Sequence, residues 1–207
     1  IKISIADALR DLCRFDDALK IYNEGIELAR QSMEAAFIAY ATAGIGETYR
    51  LLGQYDTGRT LLEEARHQAE DQKQPYETAL FDIQLGIIDY ETGQFESAKI
   101  RLRDAGERLL AMGDNDALAK AYFHLAQASF LSRDYNAAAQ CLEKASNLAD
   151  ELGYENFLVV EAKKALPLVH YGIKIGIGNG RFVRVLEKIR TINGVGQLKN
   201  NAELPKS

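Results

Sequence analysis

The sequence predicts an all-α fold, a right-handed superhelix in which helical hairpins stack side by side as an α-solenoid. Three observations predict it. The chain repeats with a period of 40 residues, the apolar side chains within each block have helical spacing, and glycine or clusters of polar residues separate the segments.

The repeat is visible as columns of side chains of matching size. Six such columns run through four blocks without an insertion. Two of them are the aromatic column of Phe15, Tyr55, Phe95 and Tyr135 and the small-residue column of Ala18, Gly58, Ala98 and Ala138. Such agreement over four blocks indicates one supersecondary unit used repeatedly.

Each block predicts two helices. In the third block, Ala98, Leu102, Ala105 and Leu109 are spaced so that they share one helix face. Gly53 and Gly93 follow the first helix of their blocks, where a left-handed cap is favoured. The predicted helices are 2–12, 15–31, 34–52, 55–71, 75–92, 95–111, 115–132, 135–152, 155–173 and 180–191.

A fifth block begins in register and then departs from it, because Pro167 and a glycine-rich turn at 176–180 replace the expected pattern. This block is expected to terminate the solenoid. The predicted domain therefore covers 1–192, followed by a linker or tail at 193–207. Its repeats are 1–33, 34–73, 74–113 and 114–153, with a capping block at 154–192.

Charge is distributed unevenly along the chain. Residues 1–162 carry 16 basic and 28 acidic side chains, whereas residues 163–199 carry eight basic ones and a single acid, Glu187. The acidic body would repel a polyphosphate, so direct nucleic-acid binding is not expected. The sequence also lacks a secretory signal and a run of about 18 apolar residues, which excludes a membrane span and favours a cytoplasmic location.

The columns of small and large residues resemble those of the tetratricopeptide repeat. The blocks are longer than the common form of that repeat, and this 40-residue variety resembles repeats of LuxR-type bacterial activators, peptide-sensing bacterial regulators and kinesin light chains. The segment 166–189, LPLVHYGIKIGIGNGRFVRVLEKI, is similar to the segment that closes the repeat region in maltose-regulator-like activators. The resemblance implies a sensor domain between an upstream ATPase and a downstream helix-turn-helix domain.

No sequence motif predicts catalysis, a cofactor or a metal site. Gly176, Gly178 and Gly180 are not followed by the Lys-Ser/Thr pair of a phosphate-binding loop. The three histidines lie in different blocks, without the spacing that metal ligands need. The chain is therefore expected not to be an enzyme.

The concave face is the predicted binding site, because the first helix of each hairpin lines it in tetratricopeptide arrays. Projecting that face onto the register gives aromatic and aliphatic anchors together with polar groups, among which Arg50 is the one cation. We expect the rings to be partly exposed, although packing between hairpins is the alternative. The candidate residues are Tyr40, Glu47, Arg50, Ile83, Ile87, Tyr90, Glu91, Phe123, Gln127 and Phe130.

Two functions fit these expectations. The first is a non-catalytic sensor or interaction domain of a multidomain bacterial transcriptional regulator, which binds a protein, a peptide or a small-molecule inducer, or other domains of the same polypeptide. Since the chain opens on Ile1 inside a predicted helix, it looks like a piece of a longer polypeptide. The alternative is a scaffold or adaptor repeat that mediates protein assembly without a transcriptional role.

Overall fold

The computed structural model describes residues 2–153 and 156–202, and within these residues the chain forms eleven helices and no strand. The helices are α1 Lys2–Asp11, α2 Phe15–Gln31, α3 Ala35–Leu51, α4 Tyr55–Asp71, α5 Pro75–Glu91, α6 Phe95–Met112, α7 Asn115–Leu131, α8 Tyr135–Leu152, α9 Asn156–Ala162, α10 Leu166–Lys174 and α11 Arg181–Ala202. The predicted all-α fold of consecutive helical hairpins is confirmed, and the ends of α1 to α8 agree with the sequence to within about one residue.

The terminal block differs from the prediction. The segment predicted as one helix at 155–173 forms two helices, because Pro167 lies in the first turn of α10, where its missing N–H is tolerated. The last helix is also longer than predicted. It continues to Ala202, so 193–202 are helical where an irregular linker was expected, and 203–207 lie outside the described residues.

The chain divides into two compact units, 1–117 and 118–207. In the first unit, α1 packs on α2, α3 on α4 and α5 on α6, and each hairpin packs on the next. In the second unit, α11 packs against α9 and α10. Its apolar core combines α7 to α11, and Phe123, Leu142, Leu158, Leu168 and Phe182 are fully or almost fully buried in it.

Glycines allow the paired helices of the first unit to approach closely, as the small-residue columns predict. A Cβ atom added at Gly46 would lie 3.0 Å from the carbonyl oxygen of Gly58. One added at Gly86 would lie 2.7 Å from Cγ of Leu102. Larger residues at 46 or 86 would therefore push α3 from α4, or α5 from α6.

The turns after the helices share one backbone feature. A residue with positive φ recurs every 20 positions, at Cys13, Met33, Gly53, Lys73, Gly93, Gly113, Arg133 and Gly153. After Gly93, the Gln94 N–H donates to the Asp89 carbonyl at 2.7 Å, while Gly93 itself donates to Tyr90, which closes the last turn of α5. The left-handed caps at Gly53 and Gly93 were predicted, but the other six positions were not.

Hydrophobicity along the described helices stays below what a bilayer crossing requires, and none of these helices could span a membrane.

Candidate functional site

The predicted binding residues of α3 and α5 form a ladder of ion pairs. Nη1 of Arg10 in α1 lies 2.9 Å from Oε2 of Glu47, and Nη2 of Arg50 lies 3.8 Å from Oε1 of the same glutamate. Nη1 of Arg50 then donates to Oε1 of Glu91 at 2.8 Å. The ladder joins α1, α3 and α5, the first helices of three successive hairpins.

Arg50 differs from its predicted role as a free cation for a ligand. Its residue is only 5% exposed, and two carboxylates already occupy its terminal nitrogens. Burial alone would lower the pKa of Arg50, but the charges of Glu47 and Glu91 raise it above its ordinary value, so the guanidinium stays charged. The side chain joins two hairpins, and a ligand would have to displace one of its partners.

The predicted apolar and aromatic side chains of α5 are not on an open surface. Ile83, Ile87 and Tyr90 are all buried, which corrects the expectation that the ring of Tyr90 is partly exposed. The reason is that α5 packs against both α4 and α6, so that from position 81 to position 90 only Gln84 escapes full burial. The alternative considered for these residues, packing within the fold, describes them better.

The second unit places its three predicted residues in similar surroundings. Phe123 and Gln127 are buried, which again corrects the expected exposure, and Phe130 is partly buried. The Phe130 ring packs against the rings of Tyr135 and Tyr171, with centroids 5.6 and 5.5 Å away. Ligand contact by these residues stays a prediction.

Tyr40 is the predicted ring that the structure leaves exposed, and it lies in a cleft that sequence reasoning missed. The cleft has a volume of about 570 Å³ and is formed by the start of α1, the end of α2, the start of α3 and Glu77 of α5. This volume is in the range of ordinary ligand sites. The side chains of Leu28, Phe37 and Tyr40 line it and are 49%, 53% and 41% exposed.

The charged residues that line the cleft are mostly acidic. Asp7, Glu34 and Glu77 supply three carboxylates. Of the lining residues that the structure describes, Lys2 alone is basic, and its Nζ lies 2.6 Å from Oε2 of Glu24. Neither Glu34 nor Glu77 forms an ion pair with any described residue. The cleft therefore combines apolar surface with the uncompensated negative charge of Glu34 and Glu77.

A hydrogen-bonded group fixes the position of Asp7 in this lining. Its Oδ1 accepts from the hydroxyl of the buried Tyr22 at 2.5 Å and from Nη1 of Arg10 at 3.3 Å. Burial raises the pKa of Asp7 above its ordinary value, although the Tyr22 hydrogen bond and the Arg10 charge oppose that rise. Since Arg10 also begins the ion-pair ladder, the cleft and the ladder share one support.

A second buried charge network was not foreseen. The carboxylate of Asp82 in α5 accepts from Arg66 of α4 at 2.7 Å and from Arg101 and Arg108 of α6 at 3.0 and 2.8 Å. These contacts occupy both carboxylate oxygens and join three helices.

Asp89 repeats this arrangement two turns further along α5. It accepts from Arg59 at 2.6 Å and from Ser97 at 2.8 Å. The signal in the sequence was a spacing of seven residues, shared by the two aspartates of α5 and by the arginine pairs of α4 and α6. With their oxygens engaged, these aspartates join α5 to α4 and α6.

Metal binding finds no support among residues 2–153 and 156–202, where no group of three or more His, Cys, Asp or Glu side chains could hold an ion.

Comparison with known proteins identifies the type of hairpin. Residues 119–151 match the family model of the tetratricopeptide repeat. The hairpin at 119–151 is a repeat of the tetratricopeptide type. No curated protein matches the chain in sequence.

Solved structures share this tetratricopeptide-type fold over nearly the whole chain. The apo form of RapI has 12% identity and a TM-score of 0.72, over 96% of this chain and 71% of that one. PlcR from Bacillus thuringiensis, in complex with the peptide PapR7 and DNA, has 12% identity and a TM-score of 0.72, over 98% and 71%. Repeats of a putative kinesin light chain from Podosopora anserina have 13% identity and a TM-score of 0.60, over 95% of both chains. At such identities, the likeness shows the fold alone.

Proposed function

We propose that this tetratricopeptide-type segment is a non-catalytic binding domain, and that it binds a peptide or a segment of a partner protein in the cleft between α1, α2 and α3. The observation that carries the proposal is the exposure of Leu28, Phe37 and Tyr40 in one concave site. Apolar side chains grouped in a concavity are typical of binding surfaces, where aromatic anchors contribute much of the affinity.

The cleft is a better candidate than the predicted stripe along α5 and α7. A ligand contacting Ile83, Ile87 or Phe123 would have to open the packing around them, whereas Phe37 and Tyr40 already face solvent. Binding without such rearrangement avoids an energetic cost. We therefore assign to Tyr40 the anchor role that the sequence suggested for the whole stripe.

We further propose that the segment belongs to a transcriptional regulator. The similarity of 166–189 to the closing segment of maltose-regulator-like activators supports a sensor domain of a bacterial regulator, which would act in the cytoplasm. The fold shared with PlcR, solved with a peptide and DNA, supports the same reading. The alternative is a scaffold or adaptor, which the fold shared with a putative kinesin light chain favours. A helix-turn-helix sequence downstream of Ser207 in the gene would favour the regulator, and its absence the scaffold.

The binding role is tested by fluorescence polarisation with an array of labelled hexapeptides of varied sequence. We expect peptides to bind the wild-type chain and to lose at least about tenfold in affinity on the double change Phe37→Ala and Tyr40→Ala. The matched control is Ile100→Ala with Leu110→Ala, which truncates two exposed apolar side chains of α6 outside the cleft. Equal losses in both double variants, or no binding by any peptide, would contradict the proposal.

A further inference from the structure

We propose that the cleft selects a peptide segment in which a bulky apolar side chain stands beside a lysine or arginine. This inference rests on the proposed function, since it names the class of ligand for the same cleft. It follows from the way charge and apolar surface are arranged around Phe37 and Tyr40.

The apolar part of the cleft sets the first requirement. Leu28 comes from the end of α2, while Phe37 and Tyr40 come from the first turns of α3, so the three side chains converge from two helices. Gly25 and Ala29 add small residues to the lining. A bulky apolar side chain of the ligand can therefore be covered from two sides, which is how anchor residues are usually held.

The acidic part sets the second requirement. Glu34 begins the N-terminal turn of α3, Glu77 lies in the first turn of α5, and Asp7 belongs to α1, so the carboxylates approach the cleft from three helices. Asp7 is paired with Arg10 and Lys2 with Glu24, which leaves Glu34 and Glu77 without an ion-pair partner among the described residues. A cation on the ligand would be attracted to these two carboxylates, whereas an acidic ligand would be repelled.

The surroundings of Asp7 and Tyr40 also favour a cationic ligand. Burial raises the pKa of both groups, and the charge of Asp7 adds to the rise for Tyr40. Each anion is therefore less well solvated than in water, and a cation bound nearby would stabilise the carboxylate of Asp7. The same negative surroundings extend towards α7, since burial together with the charges of Asp114, Asp116 and Glu77 raises the pKa of Tyr76.

Charge also excludes some occupants. The cleft disfavours polyphosphates and acidic peptides, because its acids lie within a chain whose first 162 residues are strongly acidic overall. A basic segment would be attracted electrostatically from a distance and could form ion pairs with Glu34 and Glu77.

The test uses fluorescein-labelled hexapeptides with a central phenylalanine or leucine, flanked by Lys, Arg, Ala, Glu or Asp. At about 50 mM salt we expect the Lys and Arg peptides to bind the chain at least about tenfold more tightly than the Glu and Asp peptides. We expect the ratio to shrink at about 500 mM salt, because screening weakens exposed charge pairs. No preference for the basic peptides in the wild-type chain would overturn the inference.

Matched variants attribute the preference to the cleft. The double change Glu34→Gln and Glu77→Gln should remove most of the tenfold preference. The double change Glu63→Gln and Glu107→Gln alters net charge equally at exposed positions of α4 and α6 and should leave the preference intact. A preference that survives in the first pair, or disappears in both, would overturn the inference.

The outcomes separate this inference from the proposed function. Peptide binding that depends on Phe37 and Tyr40 but not on ligand charge would remove the inference and leave the binding role. Binding that does not depend on Phe37 or Tyr40 would overturn both the inference and the proposed function. A second copy of the chain is the other occupant to test, by analytical sedimentation without peptide. Self-association that is lost on Phe37→Ala would place that second copy in the cleft and overturn the inference.

Discussion

The hydroxyl of Tyr22 donates a 2.5 Å hydrogen bond to Oδ1 of Asp7, which ties α2 to α1 next to the cleft. Burial nevertheless raises the pKa of Asp7 above its ordinary value of 3.8. A carboxyl whose pKa is raised on folding binds its proton more tightly in the folded state, so it stabilises the fold at acid pH, and this contribution is lost as pH rises through the raised value. The Asp7 carboxylate is therefore retained in the cleft at a cost in stability at neutral pH.

Replacing Asp7 by asparagine should expose this cost. The variant keeps an acceptor for Tyr22 but does not titrate, so the free energy of unfolding of the wild type, measured relative to Asp7→Asn, should fall as pH rises above about 3.8. Urea unfolding of both chains between about pH 3.5 and about pH 7 measures the difference. A wild type that becomes more stable relative to Asp7→Asn as pH rises would contradict the raised pKa.

Truncating Tyr40 and truncating Tyr90 should reduce stability by very different amounts, although the sequence placed both residues on one stripe. Tyr90→Ala removes a buried ring and should reduce the free energy of unfolding by about 3–5 kcal/mol. Tyr40→Ala removes a ring that is 41% exposed and should cost no more than about 1 kcal/mol. Thermal or urea unfolding of the two variants decides this point, and similar losses in both would refute the assignment of Tyr40 to an open cleft.

Arg50 should contribute to stability because its guanidinium joins Glu47 and Glu91 while itself buried. Arg50→Met keeps most of the apolar stem but removes the partner of Glu91 and one of the two partners of Glu47, and we expect a loss of about 1–3 kcal/mol. Arg30→Met removes an exposed pair with Glu27 and should change stability by less than about 0.5 kcal/mol. Equal effects in urea unfolding would mean that the ladder adds nothing beyond a surface ion pair.

Gly86 tests the repeat register. Its position requires a close approach to Leu102, so Gly86→Leu should lower the free energy of unfolding by about 1–3 kcal/mol through overpacking. Combining it with Leu102→Ala, which removes the contacted atoms, should recover part of that loss relative to the sum of the single changes. Unchanged stability in Gly86→Leu would contradict the register.

Substitutions at two equivalent left-handed turn positions, 73 and 93, should change stability in opposite directions. Gly93 has a φ of 81° and no atom within 4 Å of an added Cβ, so Gly93→Ala should cost about 1–2 kcal/mol through backbone strain alone. Lys73 already bears that strain at a φ of 55°, and Lys73→Gly should raise stability by up to about 1 kcal/mol. Urea unfolding measures both, and a loss of stability in Lys73→Gly would contradict the shared turn geometry.

The sequence predicted the hairpins well because their signals are local or strictly periodic. Small residues such as Gly46 and Gly86 mark helix contacts, and glycines such as Gly53 mark turns, whatever the rest of the fold does. The ends of the repeat helices follow from these signals directly.

The candidate site was predicted less well because exposure depends on neighbours distant in sequence. Tyr90 is on the predicted face of its helix, yet packing of the adjacent helices buries it. Arg50 meets Glu91 across 41 residues, a pairing visible only once the 40-residue period is combined with a shift of one position. The cleft arises where the end of α2 meets the start of α3, and no periodic pattern reports the exposure of Phe37.

Hydrogen–deuterium exchange of the chain, with and without a hexapeptide that carries phenylalanine beside lysine, tests the central claim most directly. We predict that the peptide slows amide exchange at the start of α1, the end of α2 and the start of α3, around Phe37 and Tyr40, and leaves 83–90 and 123–131 unchanged. Slowed exchange confined to 83–90 and 123–131, with none around Phe37 and Tyr40, would contradict the assignment of the cleft as the binding site.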